Sequence, residues 1–431
     1  MKSKFVKSTI ILIVGGAITK ILGMLIKIVL TRAITTDGIS LYMLVLPTFN
    51  LFITLSTVGM PIAISKLVSE NKRSSKKIIL SLMPFILVFN VALIAILFLI
   101  SDFLANNLLK NSDTYFPLLA IGLTLPFISI SSLIKGYFFG KEKMFPHTLS
   151  NIVEQVIRLL CTIIIIPGLL KYSLKVAVTG VVLINIISEF SSIVVLLLFL
   201  PKNVKIKKQD FKYDKDILYG MLDIAIPTTT TRLIGAFSYF LEPIILTFVL
   251  LKAGYSNSYI TLEYGIINGY VYPLLLIPSF FTLAISNALL PVVSSSYVKG
   301  KIDYTKKKIK QAIIFSLMIG IPVTIIFVFI PEVPLKLIYN TNLGLSYIPY
   351  ISPIFLLHYV QAPLTASLQA MGKAKEAMIG TLIGSFIKIA LLFILSLFKI
   401  GLWGFVISTL ANIIFVTIHH ICYVRKYLND F

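Results

Sequence analysis

Long apolar runs separated by short polar breaks make up most of this chain. A helix needs about 20 apolar residues to cross a hydrocarbon core of about 30 Å, and roughly a dozen runs reach that length. They lie near residues 8–30, 41–65, 78–100, 116–139, 147–168, 176–200, 217–250, 264–294, 311–331, 348–371, 377–398 and 402–424. The runs are continuous and lack the ten-residue alternation of barrel strands, so the pattern predicts membrane helices. The first run follows Lys2, Lys4 and Lys7 and could be taken for a signal peptide. It is too long for one, carries Lys20 and Lys27, and has no small-x-small cleavage site, so it reads as the first span.

Composition agrees with the pattern. Hydrophobic residues are 57% of the chain and charged residues 13%, against about 45–50% and 25% in a soluble domain. Mean hydropathy is +0.95. A water-soluble fold would leave large apolar patches exposed at this composition.

Charge sets the orientation and removes a rival class. With the N terminus placed in the cytoplasm, about 26 loop Lys and Arg fall inside and about 7 outside. The inside residues lie in the runs Lys66 to Lys77, Lys202 to Lys215, Lys299 to Lys310 and smaller ones. This satisfies the positive-inside rule with both termini cytoplasmic, in an inner membrane. The formal charge of +22 thus has a topological explanation. Lysines scattered over many short loops do not form a nucleic-acid surface.

The chain repeats internally. "TKILG" at Thr19 to Gly23 recurs as "TRLIG" at Thr231 to Gly235, Pro61 matches Pro291, and Lys76–Lys77 matches Lys306–Lys307. Farther on, Pro117 matches Pro349, and "GKEK" at Gly140 to Lys143 matches "GKAK" at Gly372 to Lys375. The matches share one order, so the fold class expected is an all-α polytopic membrane protein of two pseudo-symmetric six-helix lobes, 1–205 and 206–431. Parallel repeats of this kind are a transporter architecture with its site near the bilayer midplane.

A charge at the bilayer centre costs at least about 2.5–3.5 kcal/mol, so each is a functional candidate. Lys20, Arg158, Arg232 and Lys388 lie near mid-span, as two pairs on symmetry-related helices. Lys27 is seven residues from Lys20 and shares its helix face. Lys135 lies nearer a span end, where its stem would carry the ammonium to the headgroups. Lys20, Lys27, Arg158, Arg232 and Lys388 are therefore the candidate substrate-binding residues. Glu154, Glu189 and Glu242 are the candidate ion-coupling acids, with Glu154 and Arg158 spaced to pair on one helix face. Deep cations suit an anionic substrate, such as a lipid-linked phosphate or pyrophosphate.

Other chemistries find no support. Cys161 and Cys422 form no redox motif, and His147, His358, His419 and His420 are not in a metal-ligand spacing with Cys or Asp. His419 and His420 read as interfacial residues. There is no Gly-rich phosphate loop, HExxH or GxSxG, so neither cofactor, metal nor enzyme activity is expected.

"GGAITKILGMLIKIVLTRAITTDGISLYMLVLPTFNLFITLSTVGMPIAISKLVSENKR" at the start, "NIVEQVIRLL" at Asn151 to Leu160 and "AISNALLPVVSSSY" at Ala284 to Tyr297 carry a family resemblance. The chain resembles, over essentially its whole length, the sporulation and MurJ-type lipid II flippases and polysaccharide-unit flippases. These sit in the MATE-like multidrug/oligosaccharidyl-lipid/polysaccharide superfamily. The resemblance implies outward flipping of undecaprenyl-pyrophosphate-linked sugars for peptidoglycan or polysaccharide. Its partners would be the lipid-linked oligosaccharide, membrane lipids and cell-wall synthesis enzymes. It also implies cavity-lining bases on the first helix, at Lys20 and Lys27, with Arg232 as repeat mate. Many relatives add two C-terminal helices that hold the lipid tail, and this sequence reads to Phe431 without them. A multidrug or cation antiporter of that superfamily and a non-transporting scaffold for envelope synthesis stand as alternatives.

Overall fold

A computed structural model describes residues 2–70, 73–201, 207–211 and 214–428, with side chains from Ile11 onward apart from Ile13, Lys208, Gln209, Pro227 and Thr231. Among the described residues the protein is all-α. The helices are α1 (Lys2–Ala33), α2 (Thr36–Thr57), α3 (Met60–Ser69), α4 (Ser75–Asp102), α5 (Tyr115–Gly140), α6 (Met144–Leu170), α7 (Leu174–Leu198) and α8 (Lys215–Lys252). They continue as α9 (Asn257–Ile266), α10 (Tyr272–Leu275), α11 (Ser279–Val298), α12 (Ile302–Phe329), α13 (Glu332–Tyr339), α14 (Ile348–Ala370), α15 (Ala374–Ser396) and α16 (Trp403–Leu428). Eleven described stretches are long and apolar enough to span a membrane. The expected span 348–371 is α14, a helix of 23 residues whose hydropathy is diluted by Pro353, His358, Gln361 and Pro363.

Two expected spans are interrupted. The run 41–65 breaks at Val58 and Gly59, both left-handed, with φ of 35° and 59°. Gly59 is required twice over: a Cβ there would lie 2.6 Å from Thr229 Oγ1, and the backbone is in the region glycine favours. The run 264–294 is a π-helical turn at Ile267–Val271, then α10, then a break before α11. Pro273 and Pro278 flank that break, and neither can donate a backbone hydrogen bond.

The chain packs as two units, Met1–Phe240 and Leu241–Phe431, so α8 contributes to both. The sequence-read boundary at 205/206 lies outside the described residues. In the first unit α3 lies directly on α5, because Gly136 and Gly140 leave room for it: a Cβ on Gly140 would come within 2.6 Å of the Ser65 carbonyl. That GxxxG spacing is a common device of membrane helices. Asn90 donates to Ser129 Oγ at 3.0 Å, and Ser129 donates to the Ser56 carbonyl at 3.1 Å, joining α4, α5 and α2. The start of α8 joins the same core through Ile217, Leu218, Met221 and Ala225. In the second unit α11, α12, α14, α15 and α16 share a core around Val293, Ile309, Leu364, Leu368 and Val424.

The inter-repeat linker is strapped to the start of α4. Asp210 pairs with Lys76, Asp214 lies 2.7 Å from Lys77 and 3.8 Å from Arg73, and Asp216 lies 3.1 Å from Arg73. The Lys76 hydrogen bond holds the Asp210 carboxyl below the usual carboxylate range, and Lys77 does the same for Asp214. Depressed folded-state values mean that the strap is present above the ordinary carboxylate pKa of about 4 and is lost as pH falls through the lower folded values.

Two expectations follow. Single cysteines introduced at Ser74 and Thr305 should label from one side of the membrane, and those at Asn111 and Asn342 from the other. Labelling of all four from one side would sink the span assignment. Trypsin should cut the 207–216 segment faster as ionic strength rises at pH 7, because exposed pairs are screened. Salt-independent cleavage would show that the ion pairs do not hold the linker.

Candidate functional site

The deep charges of the first unit gather on three helices. α5 brings Lys135, α6 brings Glu154 and Arg158, and α7 brings Glu189. Lys135 Nζ lies 2.9 Å from Glu154 Oε2, and Arg158 Nη2 lies 2.9 Å from Glu154 Oε1. Each carboxylate oxygen of Glu154 thus meets one base. Gln155 donates to Glu154 Oε1 at 3.3 Å, and Arg158 also donates to Ser188 Oγ at 3.2 Å. Glu189 Oε2 sits 4.0 Å from Lys135 and has no hydrogen-bond partner among the described residues. Two acids and two bases make the cluster neutral when all four are ionised.

This corrects the reading of Lys135. Its side chain is 14% exposed and its ammonium is spent on Glu154 rather than on headgroups. The signal that would have found it is charge balance: the first half has two deep acids, Glu154 and Glu189, and one mid-span arginine close to them in sequence. Left unpaired, four charges at about 2.5–3.5 kcal/mol each would cost on the order of 10 kcal/mol, comparable to the whole stability of a domain.

The second unit holds a separate pair. Lys388 on α15 donates to Glu242 on α8 at 2.5 Å, and its ammonium lies 5.2 Å from the centre of the Phe405 ring. His420 is also buried. Its ring nitrogens lie 3.2 Å from Thr365 Oγ1 and 3.2 Å from the Ala377 carbonyl, so it ties α14, α15 and α16 together. His419 stacks on Tyr423 at 4.5 Å. Cys161 and Cys422 are free thiols.

The five bases singled out in the sequence therefore separate into two sets. Arg158 and Lys388 are held by carboxylates. Lys20, Lys27 and Arg232 are exposed and make no ion pair among the described residues. Lys20 and Lys27 ride on α1, which packs against α6 closely enough that a Cβ on Gly15 would overlap Thr148. The described residues hold no cluster of metal-ligating side chains.

Residues 5–297 match the family model described as Polysaccharide biosynthesis protein, and residues 268–394 match that described as MatE. The chain belongs to the polysaccharide biosynthesis protein family. Stage V sporulation protein B of Bacillus subtilis (strain 168) is 34% identical to it over 99% of this chain and 85% of that protein. Lipid II flippase MurJ of the same organism is 25% identical over 91% of this chain and 77% of its own length. Among solved structures, an inward-facing multidrug resistance MATE family transporter of the MOP superfamily superposes with a TM-score of 0.75 at 15% identity, covering 95% of this chain and 94% of that one. A MOP superfamily transporter from Pyrococcus furiosus gives a TM-score of 0.64 at 15% identity over 100% and 97%. These structural likenesses show that this polysaccharide biosynthesis family member has the MATE fold.

Removing the shared base from the quartet should cost stability. Lys135→Ala leaves Glu189 and one oxygen of Glu154 without a counter-charge, and breaking a buried pair typically costs about 3–5 kcal/mol. Thermal unfolding in nanodiscs should show a clear drop in Tm for Lys135→Ala and partial recovery in Lys135→Ala/Glu189→Gln, which rebalances the charge. A silent Lys135→Ala would mean that the ammonium is not serving these acids.

Proposed function

We propose that this protein is a flippase that moves a polyprenyl-pyrophosphate-linked saccharide, lipid II or a related peptidoglycan or polysaccharide precursor, from the cytoplasmic to the outer leaflet by alternating access. It works in the bacterial cytoplasmic membrane with both termini in the cytoplasm, the orientation favoured by the loop lysines. The observation that carries the reading is the set of exposed, carboxylate-free bases Lys20, Lys27 and Arg232 on α1 and α8, the helices that open the two sequence repeats. In a chain so closely related to a sporulation protein and to a lipid II flippase, such bases suit the phosphate oxygens of a lipid-linked headgroup.

Arg158 and Lys388 act in this reading as framework, since their charge is already balanced. Among the ion-coupling candidates, Glu189 keeps an oxygen without a hydrogen bond and is the acid left to bind a coupling ion. Glu154 and Glu242 are occupied by bases. Cell-wall synthesis enzymes are the protein partners that would supply and consume such a substrate.

The decisive measurement is a reconstituted flipping assay with defined lipid-linked sugars, run beside transport of cationic dyes. Wild-type protein should flip the lipid-linked sugar and leave the dyes. Lys20→Ala and Arg232→Ala should each lower flipping by roughly 10–100-fold, the loss of one charged hydrogen bond, with protein levels unchanged. Dye transport without sugar flipping would favour the antiporter. Full flipping by both variants would remove these bases from the site.

A further inference from the structure

Within the second unit, the starts of α9, α14 and α16 bring an aromatic wall together. Trp403 of α16 lies between two tyrosines, its ring centre 5.0 Å from Tyr347, which precedes α14, and 5.7 Å from Tyr350 in the first turn. Tyr347 is buried, and its hydroxyl donates to Glu263 Oε2 of α9 at 2.6 Å. Tyr350 is 69% exposed and meets Trp403 at 82°. Rings at right angles leave both faces of one ring uncovered by the other. One turn before Glu263, Tyr259 stacks on Tyr255 with ring centres 5.2 Å apart. The Tyr255 hydroxyl donates to the Lys399 carbonyl. A Cβ on Gly401 would lie 2.7 Å from the Tyr259 oxygen, and Gly401 is left-handed at φ 60°, so the turn before α16 is shaped around these tyrosines.

Rings alone at the end of a span are ordinary interfacial anchors. This wall also carries a half-buried carboxylate among its rings. A carboxylate has about four lone-pair sites, and Tyr347 uses one of them on Glu263. Anionic lipid headgroups and phosphate are repelled by that charge, whereas neutral hydroxyls can donate to it. A pyranose supplies those hydroxyls together with an apolar C–H face that lies flat on an aromatic ring. Rings already fixed by their neighbours lose little freedom on binding.

We propose that Glu263, Tyr350 and Trp403 form a saccharide-binding platform, with a pyranose ring seated on the aromatic faces and its hydroxyls donating to Glu263. Tyr347 positions the carboxylate. With both termini in the cytoplasm, the starts of α9, α14 and α16 face outside, the side on which a flipped sugar headgroup emerges. The inference therefore rests on the flippase reading and adds a landing surface for the saccharide to it.

Intrinsic fluorescence provides the test, because Trp403 is the single tryptophan of the chain. The full chain in detergent micelles is titrated with N-acetylchitotriose, with maltotriose and with sorbitol, which has hydroxyls but no ring. At least one trisaccharide should change the emission saturably at millimolar concentration, and sorbitol should not. Tyr350→Ala and Glu263→Gln keep the reporter and should weaken the apparent affinity at least about fivefold, the loss of roughly one ring contact or hydrogen bond. If Glu263→Gln does not fold, Tyr350→Ala at its exposed position decides alone. No saturable change in the wild type overturns the platform, as does an undiminished response in the variants or an equal response to sorbitol. The same preparation is then reconstituted with lipid-linked sugar. Flipping without a trisaccharide response removes the platform and leaves the flippase reading. A trisaccharide response that the variants weaken, in protein that flips nothing, removes the flippase reading and leaves the sugar site.

Discussion

A carboxylate inside a bilayer is costly unless a counter-charge meets it, and here bases of the chain itself do so. Much of the interior follows from that constraint. In the first unit it draws α5, α6 and α7 around Glu154, whose two oxygens are met by bases from α5 and from its own helix. In the second unit it draws α15 to α8, at Lys388 and Glu242. Of the five candidate bases, Lys20, Lys27 and Arg232, on the first helices of the two repeats, make no ion pair among the described residues.

The apolar framework meets a related demand with small residues. Lipid tails are as apolar as leucine, so helices in a bilayer gain by approaching closely and by satisfying polar groups between them. Gly136 and Gly140 let α3 seat on α5, and Gly59 lets the α2–α3 elbow reach Thr228 and Thr229 of α8. Asn90 and Ser129 reach the Ser56 carbonyl, at the end of α2 where the elbow begins. The elbow therefore has a defined direction set by packing, even though both of its residues leave the helical region.

Helix-forming runs are the part of such a protein that a sequence shows most directly, because an apolar stretch of span length has few other uses. Each of the twelve expected runs coincides with helix. The breaks at Val58–Gly59 and near Pro278 were not legible, because Gly and Pro are ordinary in membrane helices and most of them interrupt nothing. The site was legible in part. Glu154 and Arg158 pair as their spacing suggests, since one helix fixes both. Lys135 was misread because depth was judged from the ends of an apolar run, whereas its surroundings are set by α6 and α7 packing over it. Lys388 and Glu242 stand 146 residues apart, and no periodicity connects them. The repeat adds to the difficulty: the two halves share motifs but pair their buried acids differently.

The strap between the linker and α4 has a consequence for how the molecule is made. Arg73 meets a partner 143 residues farther along the chain. When α4 enters the membrane, Arg73, Lys76 and Lys77 are still bare positive charges, and the acids that will neutralise them have yet to be translated. In the proposed orientation, with this loop in the cytoplasm, those unneutralised charges act as a retention signal during insertion. The finished protein then pairs the same charges with acids of its own linker, so charges that stand alone during biosynthesis are partly neutralised on the mature surface.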